Sequence, residues 1–353
     1  MAFLLEYGLF LAKVVTIVVA IGVVIILVLS ASMKNQGGDK GQITITKLNE
    51  RFNEMREALR HALLDEKALK AEEKAKKKAA KAEKKAEKKA EKASTDDAEV
   101  ERKKRVFVLD FDGDIKASAV DELREAITAI LTMAETTDEV VVKLESGGGM
   151  VHSYGLASSQ LARVTAKEIP LTVCVDKVAA SGGYMMACVA NKIIAAPFAI
   201  VGSIGVVAQL PNFHRLLKKH DVDYEMLTAG KYKRTLTMLG ENTEEGRKKF
   251  IEDLEDTHVL FKEFITEHRG EVDIEAVATG EIWFGKRALD QKLIDEISTS
   301  DEYLFASAEN ADVYSVAYEH KKTLPEKLGI SASVAVENAM TKVWGKLSQR
   351  YFS

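Results

Sequence analysis

The chain has 353 residues, 50 of them Lys or Arg and 54 Asp or Glu, for a formal net charge of −4, and 46% are hydrophobic. That is enough to bury a sizeable core, as one large domain with appendages or as two domains, and the slightly acidic balance excludes a chain that grips nucleic acid by its overall charge. The two cysteines, Cys174 and Cys188, both lie in apolar runs; they read as core packing and exclude a disulfide framework or a four-cysteine metal site.

The N-terminal run Val14–Ala31 carries no charge. With Tyr7–Ala12 before it, broken only by Lys13, it is long enough to cross about 30 Å of hydrocarbon. A cleaved signal peptide wants a basic lead and a shorter apolar core, whereas this lead holds Glu6 and no Lys or Arg before Lys13. Residues 1–32 therefore read as a retained transmembrane helix, with a processed signal ending near Ser30-Ala31-Ser32 as the alternative. Gln42 through Leu63 reads as helical. Residues 64–93 are almost only Ala, Lys and Glu, strong helix formers with Glu and Lys at i,i+4 spacing but no apolar stripe wide enough to pack on a core. The stretch 33–102 thus reads as a charged helical linker, or as a basic arm on anionic lipid headgroups.

The folded region begins near Lys103. Arg105–Phe111 reads as a buried strand, Asp112–Asp114 as a turn and Val120–Met133 as a helix. Glu139–Leu144 is a strand, Gly147–Gly149 a turn, and a helix follows to about Val164. Leu171–Asp176 and Lys192–Ala196 read as strands flanking a serine segment, and Ser203–Val207 as a further short strand. Val222–Leu227 alternates as a strand does, and Thr243–His268 has the spacing of a long amphipathic helix. Strands alternating with helices imply βαβ units in a layered α/β core. The expected folded domain spans 103–300, with a C-terminal extension 301–353 that ends in a helix over Ser331–Tyr351.

Ala180-Ser181-Gly182-Gly183-Tyr184 places one serine among small residues at a strand-to-helix junction, a setting that presents a side chain beside free backbone N–H groups. Gly147-Gly148-Gly149 offers a second loop of amides. Two amide-rich loops and a serine suggest acyl transfer, and a serine hydroxyl needs a neighbouring base. Of the seven histidines only His152 has a suitable loop position, and no motif stands behind it. A lysine can serve if burial favours its neutral amine; Gly230-Lys231-Tyr232-Lys233-Arg234-Thr235 is the candidate segment, its alternative being a basic surface loop.

Taken in order, Gly147–Gly149, Ala180–Tyr184, Gly202-Ser203-Ile204-Gly205-Val206 and Gly230–Lys233 resemble the motifs of the signal peptide peptidase A (protease IV) family. The resemblance runs from about Arg105 to Ile297 and, with the anchor and linker, is greatest to its single-module inner-membrane members. It implies a ClpP/crotonase-like fold and a Ser–Lys dyad, with Ser181 as nucleophile, Lys233 as general base, Ser203 orienting the lysine amine, and the Gly148 and Gly182 N–H groups as oxyanion hole. Lys231 falls where the family varies and is assigned no role. Glu145-Ser146-Gly147 stands where the family has Asn-Ser-Pro, and the missing proline loosens the loop that carries Gly148.

The resemblance implies peptide or protein substrates, no metal or cofactor, and a homo-oligomer in which serine and lysine can come from adjacent subunits. An extended peptide added as a strand near Gly148–Val151 fits this picture. A crotonase-like acyl-CoA enzyme and a non-catalytic membrane scaffold on the same fold are the alternatives. The implied location is the bacterial inner membrane. Lys34, Lys40, Lys47 and Arg51 after the anchor favour a cytoplasmic domain by the positive-inside tendency, whereas relatives of the broader family act from the periplasmic side, so both orientations stay open.

Overall fold

The computed structural model describes Phe10, Lys13, Val14, Thr16, 41–64 and 102–319. The elements in chain order are β1 (Gln42–Lys47), α1 (Leu48–Leu63), β2 (Arg105–Gly113), α2 (Val120–Leu131), β3 (Glu139–Ser146), α3 (Val151–Thr165), β4 (Leu171–Val175), β5 (Val178–Ala180), α4 (Gly182–Ala187), β6 (Lys192–Ala195), β7 (Ile200–Gly202), α5 (His214–Lys219), α6 (Glu244–His268), α7 (Ile274–Val277), β8 (Ile282–Phe284), α8 (Gly285–Asp290), β9 (Glu296–Ile297), α9 (Ser300–Asn310) and β10 (Asp312–Glu319).

The strands form one sheet with the path β1-β10-β2-β3-β4-β6-β9, and a branch β5-β7-β8 leaves β3. From β10 to β9 the pairing is parallel, and on the branch β8 runs antiparallel to its neighbour β7. Successive side chains on a strand point to opposite faces, which sorts the core into two layers. Phe107, Leu109, Phe111, Val140, Val142 and Leu144 pack with Leu123, Ile127 and Ile130 of α2 and with Tyr154, Leu161 and Val164 of α3. Their neighbours Val106, Val108 and Val141 face the other way, with Cys174, Ile194, Val313 and Leu304 of α9. The sheet is therefore covered on both faces, which explains its near-continuous runs of Val, Ile and Leu. Ile43–Tyr318 form one compact unit.

The branch is what creates a site. The middle of β3 pairs with β4, whereas its last residue, Ser146, pairs with Ala179 of β5. In turn Ala180 of β5 lies opposite Gly202 of β7. The ends of β3, β5 and β7 thus converge, and each is followed by one of the glycine- or serine-rich segments.

The layered α/β architecture and the strands at Arg105, Glu139, Leu171 and Lys192 agree with the sequence expectation. Three expectations are corrected. Residues 42–47, expected to be helical, form edge strand β1, and only Leu48–Leu63 is helix. The short strand is Ile200–Gly202 rather than Ser203–Val207, because Ser203 turns the chain at φ +49°. Val222–Leu227 is an exposed, irregular segment and no strand. Among the described residues no helix is long and apolar enough to cross a membrane. The expected anchor Val14–Ala31 (Val14 and Thr16 apart), the Ala/Lys/Glu stretch from residue 65 and the helix expected over Ser331–Tyr351 lie outside the described residues. Cys174 and Cys188 are both buried, as expected of core residues, and burial pushes the Cys188 thiol up to about 12.

Candidate active site

β5 ends at Ala180 and α4 begins at Gly182, so Ser181 is the whole of the turn between them. Its backbone takes φ +53° and ψ −118°, a region that L-residues occupy only at a cost of about 1–3 kcal/mol. Hydrogen bonds on both sides hold it there: Ser181 N–H donates to Gly202 O at 2.8 Å, and Met185 N–H to Ser181 O at 2.9 Å. The Ser181 side chain makes no capping bond to α4. It lines instead a cavity of about 360 Å³ whose wall includes Val151, Gly155, Met185, Leu260 and Phe264.

The triple-glycine loop after β3 lies directly against this turn. Gly148 has φ +84°, and a Cβ built on it would stand 2.6 Å from Gly182 N and 2.8 Å from both Ala180 O and Ser181 Cβ. Only glycine lets the two backbones approach so closely. Gly182, as the first residue of α4, has an N–H without an intrahelical acceptor. The Gly148 N–H, expected to be free, donates to Ser146 Oγ at 3.1 Å. The loop is pinned further by Met150 N–H donating to Ile115 O at 2.8 Å. Ile115 belongs to a turn that Asp114 closes with its carboxylate, accepting from Ser118 N and Ser118 Oγ, both at 2.8 Å. The Ser118 hydrogen bonds hold the Asp114 carboxyl below its ordinary pKa.

The structure brings together Gly148, Ser181, Gly182 and, through the Ala180–Gly202 register, Ser203. Ser203 N–H donates to Glu281 O at 2.7 Å. Lys233 is not among the residues that line the cavity beside Ser181. It is exposed, in a turn closed by its own N–H to Gly230 O at 3.2 Å, and among the described residues no hydrogen bond joins it to Ser181. The neighbouring Lys231 is engaged elsewhere, 2.8 Å from Glu245 in the first turn of α6 and over the Tyr232 ring. His152 is exposed on the first turn of α3, and Glu145 pairs at the surface with Lys177 at 2.8 Å. No cluster of three or more His, Cys, Asp or Glu among the described residues is arranged to hold a metal ion.

Sequence reasoning gave Ser146 no role and passed over Tyr154; both are buried below the loop and hydrogen-bonded to each other at 2.5 Å. Nothing local marks them, since Ser146 stands between the expected strand Glu139–Leu144 and the glycine turn, and Tyr154 lies within the expected helix. The cavity wall was partly legible: Gly155 and Ser159 stand at i,i+4 on α3, a stripe of small residues facing the same space.

Two family models match the chain in tandem, "Peptidase family S49 N-terminal" over residues 2–161 and "Peptidase family S49" over residues 163–314. A "Probable protease SohB" of Haemophilus influenzae is 50% identical over 345 residues, covering 98% of this chain and 97% of that one. Another, of Buchnera aphidicola subsp. Acyrthosiphon pisum, is 47% identical over 344 residues, 98% of each chain. Among solved structures, a lysine-to-alanine variant of a 1510-N membrane-bound stomatin-specific protease with a substrate peptide matches at 14% identity and a TM-score of 0.40, covering 64% of this chain and 96% of that one.

Proposed function

The chain belongs to peptidase family S49 and is a hydrolase of peptide bonds, and from that premise we propose that it is a membrane-anchored serine endopeptidase working through a Ser181–Lys233 dyad. The observation that carries this reading is the strained turn at Ser181, which aims the hydroxyl into an apolar cavity while the Gly148 backbone lies against Ser181 and Gly182. In this reading the neutral Lys233 amine takes the Ser181 proton as Oγ attacks the scissile carbonyl. Gly148 and Gly182 N–H groups stabilise the oxyanion, each worth about 3 kcal/mol in comparable sites. The ammonium then protonates the leaving amine, and water releases the acyl-enzyme by the same base. Ser203, next to Ser181 across β5 and β7, orients the amine.

Lys233, exposed and without a hydrogen bond to Ser181, would be brought to this centre by a second copy of the chain. Residues 206–239 are almost wholly exposed, with Leu210, Phe213, Leu216, Val222 and Leu227 on the surface, Leu227 at 92%. An apolar arm of this kind calls for a partner surface, and a homo-oligomer of ClpP/crotonase-like subunits would carry Lys233 to the neighbour's Ser181. The cavity of about 360 Å³ takes the apolar side chain before the scissile bond, which suits peptides and membrane-associated fragments such as signal-peptide remnants. Val14–Ala31 tethers the catalytic domain to the bacterial inner membrane.

A fluorophosphonate probe tests the chemistry. Labelling is expected to vanish in Ser181→Ala and to fall at least tenfold in Lys233→Ala. Undiminished labelling of Lys233→Ala would remove the dyad, and tight acyl-CoA binding without labelling would favour the thioester chemistry of the same fold.

A further inference from the structure

We infer that Tyr154 is a positioning residue for the oxyanion hole, acting on Gly148 through Ser146 and on Gly182 through its ring; the inference rests on the Ser181 reading above. Tyr154 is fully buried on α3, and its hydroxyl donates to Asp114 O at 2.7 Å. The same hydroxyl lies 2.5 Å from Ser146 Oγ, which is 3.2 Å from Gly113 O and accepts the Gly148 N–H at 3.1 Å. Asp114 O can only accept, so the Tyr154 proton points to it and leaves Tyr154 Oη to accept from Ser146. With its one proton directed to Tyr154 Oη at 2.5 Å rather than to Gly113 O at 3.2 Å, Ser146 Oγ completes the chain and keeps a lone pair for the Gly148 N–H. The result is a directed relay from the Gly148 amide to the backbone of the Asp114 turn, in which each bond polarises the next. Burial raises the Tyr154 pKa above its ordinary value, which keeps the donor protonated.

The ring serves the second amide. A Cβ built on Gly182 would stand 2.8 Å from Tyr154 Cβ and Cδ2, so the Gly182 backbone rests on the ring. Gly113 completes the arrangement from below: a Cβ there would meet Ser146 Oγ at 2.5 Å and Tyr154 Oη at 2.6 Å. Only a glycine leaves room for the two hydroxyls side by side.

The loop needs this support. Three successive glycines carry the largest conformational freedom a backbone has, and a Cβ on Gly147 would touch nothing within 4 Å. An oxyanion donor that drifts by about 1 Å loses much of its effect. The relay fixes the Gly148 amide while keeping it usable. Its 3.1 Å bond to a neutral hydroxyl is weaker than the charge-assisted bond an oxyanion offers, so the N–H is shared with the developing negative charge as a three-centre bond while Ser146 Oγ still holds it in place.

Tyr154→Phe keeps the ring and deletes the relay. In the full-length enzyme in detergent, with a peptide substrate, we expect kcat to fall about tenfold with KM unchanged. Inactivation by a fluorophosphonate, whose phosphoryl oxygen occupies the same hole, is expected to slow by the same factor. Ser146→Ala, which also breaks the relay, is expected to show the same pattern and replaces Tyr154→Phe if that variant fails to fold. A wild-type kcat and inactivation rate in the folded variant, or a loss confined to thermal stability, overturns the role of Tyr154. Ser181→Ala run in parallel separates the two levels: if it still cleaves, the serine reading itself fails and Tyr154 has no oxyanion hole to position.

Discussion

Ser181 sits in a backbone conformation that its own side chain makes costly. The φ of +53° with ψ of −118° suits glycine, yet a glycine there would have no hydroxyl. The strain is affordable because Gly202 O and Met185 N–H over-determine the turn. Ser181→Gly is therefore expected to be inactive but more stable than Ser181→Ala, which keeps the strain, by about 1 kcal/mol. Chemical unfolding of the two variants checks this, and a less stable glycine variant would mean that the turn is unstrained. At this scale the local backbone was legible. A serine crowded by Ala180, Gly182 and Gly183 announces a strand-to-helix junction, and Gly147–Gly149 announces a turn. Tyr154 was not legible, because its partners Ser146 and Asp114 come from the ends of other strands and only the folded sheet brings them within reach.

The helices α3 and α6 face each other across the cavity beside Ser181, α3 with Val151, Gly155 and Ser159, α6 with Leu260, Phe261 and Phe264. Helix α6 starts at a capped Thr243, whose Oγ1 accepts Gly246 N–H at 3.1 Å, as its amphipathic spacing led one to expect. Gly155 is the element-scale test of substrate choice, since a Cβ there meets nothing within 4 Å. Gly155→Leu fills the cavity and also removes a helix-interior glycine worth about 0.8 kcal/mol. The variant is expected to be at least as stable as the wild type, with KM raised about fivefold or more for substrates with a large apolar residue before the scissile bond and little changed for alanine. Unaltered selectivity would place that residue elsewhere. The element that sequence reasoning misjudged most is Val222–Leu227. A two-residue apolar period reports a surface half covered by something, and here Val222, Tyr224 and Met226 are about half exposed in a segment that pairs with no strand among the described residues. Strands β1 and β10 were misassigned and missed for a related reason: they join the sheet on the β2 side, β10 beside β2 and β1 beyond it at the edge, from positions distant in sequence, and their partial burial leaves the pattern mixed.

In the whole molecule, one chain brings Ser181, the Gly148 and Gly182 backbones and the cavity to one end of the sheet and leaves Lys233 exposed. In the proposed shared site, assembly would be what brings Lys233 to Ser181, and an unassembled subunit of the proposed membrane-anchored protease would stay inert. The most direct test co-assembles full-length Ser181→Ala and Lys233→Ala subunits, each inactive alone, in equal amounts in detergent. A site shared between neighbours in a ring predicts that the mixture regains about a quarter of wild-type activity, because each active site needs an intact serine from one subunit and an intact lysine from the next. Mixed assemblies, verified by differential tagging, that cleave no substrate would contradict the shared Ser181–Lys233 site.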